Sequence, residues 1–125
     1  MSSEQPGRTL GRADRLRTSR EFQNVSRRGQ RAASGSFVVL VAPREGGTEE
    51  ASARIGLTVS RKVGGAVVRN RVKRRLREWF RKSALRSAGA FDWVVIARPA
   101  AAALPSSVLC HEVEALCERA LGAAR

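Results

Sequence analysis

The 125-residue sequence contains no tyrosine, a single histidine, two tryptophans and two cysteines. Each scarcity excludes something. One histidine and two cysteines supply no ligand cluster of the kind that holds zinc. Cys110 and Cys117 are seven positions apart in a helical pattern, and at about 1.5 Å rise per residue their Cα atoms are too distant for an unstrained bridge. Free thiols are expected, and these suit a reducing cytoplasm. No apolar run approaches the roughly 20 residues that span a bilayer, and the N-terminus lacks the apolar stretch of a secretion signal. A soluble cytoplasmic protein without membrane contact is expected. The eleven carboxylates are dispersed, with no pair suggesting an acid/base couple or a metal-bound water, and His111 stands alone on the polar side of the last predicted helix. No catalytic residue and no metal motif is expected in the protein itself.

What is abundant is positive charge. The net charge is +13, and the stretch from Arg61 to Arg86 carries eleven cations against Glu78 alone. Charge concentrated in this way calls for a polyanionic partner. The length suits one core, so we expect a mobile basic tail over residues 1–13 and a single domain over residues 14–122, which the elements below make α+β and the resemblance given below makes RNA-binding.

Thr18 or Ser19 can cap a first helix whose first turn holds Glu21 and which ends near Gly29. Ser36 to Pro43 and Arg54 to Ser60 read as strands. The polar stretch from Arg44 to Ser52 between them reads as the loop of an antiparallel hairpin. Gly64 and Gly65 break the chain before a basic helix from about Ala66 to Ser83. At 100° per residue, Val68, Val72, Leu76 and Trp79 form its core stripe, with Phe80 beside them, while Asn70, Arg74, Arg77 and Arg81 fall opposite. Asp92 to Arg98 reads as a further strand, and a last helix starts near Ser106.

Arg69/Lys73, Lys73/Arg77 and Arg77/Arg81 are like charges at i, i+4, each destabilising by a few tenths of a kcal/mol. Phosphates are the simplest source of the missing counter-charge. Asn70, among the arginines, can bond a base edge or a 2′-hydroxyl, or serve as a local cap. Two readings are open for Phe22 and Phe37: core residues, or a stacking platform for single-stranded nucleic acid in a groove flanked by Arg15 and by Arg61 or Lys62. Trp79 and Trp93 read as core.

The run Ile55-Gly56-Leu57-Thr58-Val59-Ser60-Arg61-Lys62-Val63-Gly64, followed by Ala66-Val67-Val68-Arg69-Asn70-Arg71-Val72-Lys73-Arg74, resembles the bacterial ribonuclease P protein subunit. Arg15-Leu16-Arg17 with Glu21-Phe22 resembles the first helix of that family. The resemblance implies a small two-layer α+β sandwich of order αβββαβα, with a mixed sheet and a left-handed βαβ crossover. It implies a subunit that assists an RNA catalyst in removing the 5′ leader of precursor tRNA, so that the particle is an endoribonuclease while the chemistry belongs to the RNA. Its implied partners are the catalytic RNA and precursor tRNA, with no obligate protein partner, and Mg2+ held mainly by the RNA. By position, Arg69, Asn70, Arg71, Lys73, Arg74 and Arg77 fall on the element that contacts the catalytic RNA, and Phe22, Ser60, Arg61 and Lys62 on the leader cleft, to which the residue-level reading adds Arg15 and Phe37. Ser26 and Leu40 stand where the family often carries aromatics. The alternatives permitted by charge and pattern are a ribosomal or ribosome-assembly RNA-binding protein and a DNA-compacting protein.

Overall fold

Helix α1 (Ser19–Arg28) begins at a capping box. The Thr18 hydroxyl accepts from the Glu21 N–H at 3.2 Å, and the Glu21 carboxylate accepts from the Thr18 N–H at 3.0 Å, so two donors that the first turn leaves unpaired are satisfied reciprocally. The computed structural model describes residues 15, 16, 18–44 and 53–124. The expected tail over residues 1–13, and all of the expected loop except Arg44, lie outside the described residues.

Strands β1 (Gln30–Ala33), β2 (Phe37–Pro43), β3 (Arg54–Val59) and β4 (Phe91–Ala97) form one sheet of order β1-β2-β4-β3. β1 with β2 and β2 with β4 are antiparallel, whereas β3 with β4 is parallel. The expected hairpin between β2 and β3 is therefore not formed, because β4 lies between them. The reason is burial. Trp93, Val94 and Val95 are buried on both faces, which a central strand permits, whereas β3 keeps Arg54 and Thr58 and takes the edge. β1 has one buried residue, Ala32, and gives no apolar alternation from which a strand is read.

Helix α2 (Ala66–Lys82) carries the chain from β3 to β4, and helix α3 (Ser106–Ala124) closes the order αβββαβα. Phe37, Val39 and Val41 of β2 share the larger core with Trp93 and Val95 of β4, Val72, Leu76 and Phe80 of α2, and Leu109, Val113 and Cys117 of α3. The opposite face has a smaller core, where Leu16 and Val25 meet Leu40, Ala42 and Val94. Two helices thus cover one face and α1 covers part of the other. The α2–α3 seam is sealed by Glu114, which accepts from the Trp79 indole N–H and from the Ser83 hydroxyl, each at 2.8 Å.

Both cysteines are free. Among the described residues no helix is long and apolar enough to cross a membrane.

Candidate nucleic-acid interface

The end of β3 and the start of α2 are shaped by one backbone choice. Gly64 adopts φ 157°, a region that L side chains rarely enter. This turns the chain after Ser60, Arg61 and Lys62, all three of which stand exposed. Helix α2 then starts at Ala66 with no side-chain cap and no acid in its first turn.

The stripe placed inward by helical periodicity is observed: Val72, Leu76, Trp79 and Phe80 are buried, and Val68 is half-buried against the core. Asn70, Arg71 and Arg74 point to solvent. Arg75 instead donates to the Leu104 carbonyl at 3.1 Å. Glu78 pairs with Arg81 and lies 3.5 Å from Lys82; its hydrogen bond to Arg81 lowers the carboxyl pKa.

Lys73 and Arg77 go elsewhere. Both are half-buried, and together with Arg15, Leu16, Phe22, Ile55 and Leu57 they line a cleft of about 110 Å³ between α1 and α2. Three cations converge there, and no carboxylate is among the lining residues. Desolvation, with the nearby Arg15 charge second, depresses the Arg77 pKa below its ordinary value. An anion entering the cleft relieves that repulsion in a setting where screening by water is reduced.

Phe22 separates this cleft from a shallower groove formed with Thr18, Ser19, Gln23 and Thr58. The ring is half-buried and packs on the smaller core, so it is partly anchor and partly exposed surface. Gly56 makes this possible: a Cβ there would come within 2.5 Å of the ring tip, Cζ of Phe22. Leu40 is buried in the core under α1, and Ser26 is exposed.

Phe37 does not belong to the cleft, contrary to the expectation. It is fully buried in the larger core, on the side of the sheet that carries α2 and α3. Side chains alternate along a strand, and the odd positions of β2 face away from α1. The structure brings Arg15 and Phe22 together with Lys73 and Arg77, while Ser60, Arg61 and Lys62 remain at the exposed turn.

A trio of charges was not legible as a unit in the sequence. Arg54 sits beside Asp92 in the parallel register of β3 and β4, donates to both Asp92 oxygens at 2.8 Å and reaches Glu21 at 2.8 Å. The signal was a lone Arg and a lone Asp, each at the start of a strand, whose pairing emerges only from the register.

As for metals, no three His, Cys, Asp or Glu side chains among the described residues are grouped to hold an ion. Glu21 and Asp92 are both engaged by Arg54, so these carboxylates do not fit a metal site. His111 is exposed on α3.

A cationic helix standing beside a cleft with a half-exposed ring, on a small α+β sheet, is the kind of surface that nucleic-acid-binding proteins present. A family model described as Ribonuclease P matches residues 10–121. The ribonuclease P protein component of Symbiobacterium thermophilum is 43% identical over 111 residues, 89% of this chain and 94% of its own length. That of Halalkalibacterium halodurans is 38% identical over 106 residues, 85% and 87% of the two chains. The RNase P protein structure from Thermotoga maritima matches with a TM-score of 0.72 at 31% identity, covering 84% of this chain and 96% of that one. One from Staphylococcus aureus gives 0.74 at 29% identity, covering 86% and 94%. The chain belongs to the bacterial ribonuclease P protein family. It is the protein component of an endoribonuclease that matures tRNA 5′ ends, and this membership implies association with the ribonuclease P RNA and with precursor tRNA.

Proposed function

We propose that the two cationic surfaces divide the work of the subunit. Asn70, Arg71 and Arg74, exposed on α2, dock on the catalytic RNA together with Arg69, which shares their end of the helix. The cleft around Phe22 takes the 5′ leader of precursor tRNA, with a base on the exposed ring face and backbone phosphates beside Arg15, Lys73 and Arg77. Ser60, Arg61 and Lys62 extend the charged rim at the end of β3. The observation that carries this reading is the convergence of three cations beside a half-exposed aromatic with no acid among the lining residues. The ring supplies sequence-tolerant stacking and the cations supply phosphate attraction, the combination that suits a single strand.

No acid or nucleophile is among the described residues that line this cleft, and bond cleavage is assigned to the RNA. Mg2+ is assigned to RNA phosphates, since the carboxylates here do not form a site. By neutralising phosphate charge, the protein reduces the repulsion between substrate and catalyst and lowers the Mg2+ concentration that the RNA requires. The free thiols are compatible with a cytoplasmic setting.

The test is reconstitution with a bacterial ribonuclease P RNA. Wild-type protein should support precursor cleavage at Mg2+ levels where the RNA alone is inactive, and should favour precursor over mature tRNA. Equal affinity for the two tRNAs would remove the leader from the proposal.

A further inference from the structure

Helix α1 has a thin apolar anchor, since Val25 is its only buried residue. Its placement over the sheet therefore depends on polar contacts, and these converge on the outward face of β3. Arg54 uses Nε and one terminal nitrogen to grip both oxygens of Asp92, and its other terminal nitrogen donates to Glu21 Oε2. Asp92 is buried, while the Arg54 and Glu21 side chains are 19% and 28% exposed, so this pair is sheltered from the screening that weakens surface ion pairs. The other Glu21 oxygen accepts from the Thr18 N–H. One carboxylate both starts α1 and ties its first turn to the sheet.

The next residue is Phe22. Its ring tip rests on Gly56, two positions along β3 from Arg54 and hence on the same face. Just before α1, the Leu16 N–H donates to the Ile55 carbonyl at 2.9 Å. Arg54, Ile55 and Gly56 of β3 thus meet Glu21, Leu16 and Phe22 in turn, and the last two line the cleft. Asp92 would be satisfied by the bidentate grip alone, so the arm to Glu21 is additional to what the sheet requires.

We propose that Arg54 is a positioning residue for substrate discrimination: through Glu21 it fixes where Phe22 stands relative to Arg15, Lys73 and Arg77, and so sets the preference for precursor over mature tRNA. This rests on the leader reading of the cleft. Arg54 itself faces the Glu21–Asp92 side of α1 and touches no proposed ligand position.

The variants are chosen to spare the fold. Arg54→Ala strands the buried Asp92 charge and is expected to unfold the sheet edge. Glu21→Gln keeps an oxygen for the Thr18 cap while removing the charge that Arg54 meets. Arg54→Lys keeps a cation beside Asp92 but loses the planar fork that reaches both carboxylates. Full-length variants reconstituted with the ribonuclease P RNA are compared for affinity toward precursor tRNA, mature tRNA and the RNA subunit, and for melting midpoint, with Phe22→Ala alongside.

In Glu21→Gln the precursor preference should fall about tenfold, a loss within the range that one stacked base contributes. Arg54→Lys should move the same way. The double variant should be no worse than the stronger single one, because both break the same interaction. Affinity for the RNA subunit should be unchanged. If Phe22→Ala abolishes the preference while folded Glu21→Gln retains it, the positioning role is overturned and the leader cleft stands. If neither variant alters the preference, Phe22 does not read the leader and the positioning role is overturned, whereas loss of the preference in Lys73→Ala with Arg77→Ala would show that the leader still lies in the cleft. If Glu21→Gln loses RNA-subunit affinity and melting midpoint in step with precursor affinity, Arg54 is structural only and the proposal is overturned.

Discussion

Phe22 and Phe37 are fifteen positions apart in the chain and on opposite faces of the sheet, and the contrast between them is a test at the level of single side chains. Phe37 is fully buried among the side chains of the larger core, so Phe37→Ala should lower folding stability by about 3 to 5 kcal/mol and affect every RNA equally through loss of folded protein. Phe22 is half-exposed, so Phe22→Ala should lower stability less and instead weaken precursor binding by about 1 to 3 kcal/mol, the contribution of one stacked base. Mature tRNA should bind as before. Chemical denaturation with paired tRNA titrations separates the two outcomes; equal losses of stability would place Phe22 wholly in the core. Cys117 offers a second test. Burial, with Glu114 and Glu118 adding to it, raises its thiol pKa well above the ordinary value, so the folded state keeps the proton when the unfolded chain, with a thiol pKa of about 8.5, has lost it. A raised folded pKa means stability is full below the unfolded value and falls as pH climbs above it. Denaturation midpoints from about pH 7.5 to 9.5, a window that brackets the unfolded thiol value, should show this decline, and Cys117→Val should flatten it.

Helix α2 is divided by what its neighbours leave uncovered. Arg74 faces solvent, whereas Lys73 and Arg77 turn toward α1 and Arg15. Arg74→Glu should weaken binding to the ribonuclease P RNA and reduce the salt slope by roughly one unit for each phosphate that the protein no longer neutralises. The pair Lys73→Ala and Arg77→Ala should weaken precursor binding more than mature tRNA binding. If both sets of variants change RNA-subunit affinity alike, α2 acts as one undivided surface. This division could not be seen in the helical wheel, which places Arg77 opposite the core: the wheel carries no information about α1, whose position depends on Val25, Leu16 and the Arg54–Glu21 contact. The helices themselves were legible, because Thr18 with Glu21 and Gly64 with Gly65 mark their starts locally. The strand neighbours were not, because Ser36 to Pro43 is apolar on both faces and carries no mark of which face Phe37 takes. The insertion of β4 between β2 and β3 is likewise a long-range pairing. β1 was hidden by its single buried residue, Ala32, and only the family resemblance implied a strand there.

At the scale of the molecule, +10 of the +13 net charge lies between Arg61 and Arg86, and this makes stability depend on salt in opposite directions with and without RNA. In the bare protein, Arg69/Lys73, Lys73/Arg77 and Arg77/Arg81 repel along one helix by a few tenths of a kcal/mol per pair, and Arg15 adds to the crowding at Arg77. Raising ionic strength from about 0.05 to 0.5 M shortens the screening length to a few ångströms and removes most of this repulsion. The exposed Glu78 pairs with Arg81 and Lys82 are screened as well, but Glu78 is one anion among eleven cations in that segment. The Arg54 contacts with buried Asp92 are less affected. The net gain is about 1 kcal/mol, which corresponds to a rise of about 4 °C in melting midpoint for a domain of this size. Bound RNA does the same work at low salt: it binds the folded state, raises the midpoint by mass action, and loses affinity as counterions compete for the phosphates. The midpoint of the complex should therefore fall with salt while that of the free protein rises, the two curves converging near the concentration at which the RNA dissociates. Scanning calorimetry across a NaCl series, with and without ribonuclease P RNA, tests this directly. A free-protein midpoint that falls as NaCl rises would mean that attractive ion pairs dominate the bare fold, and the cationic helix would then need no polyanion to relieve it.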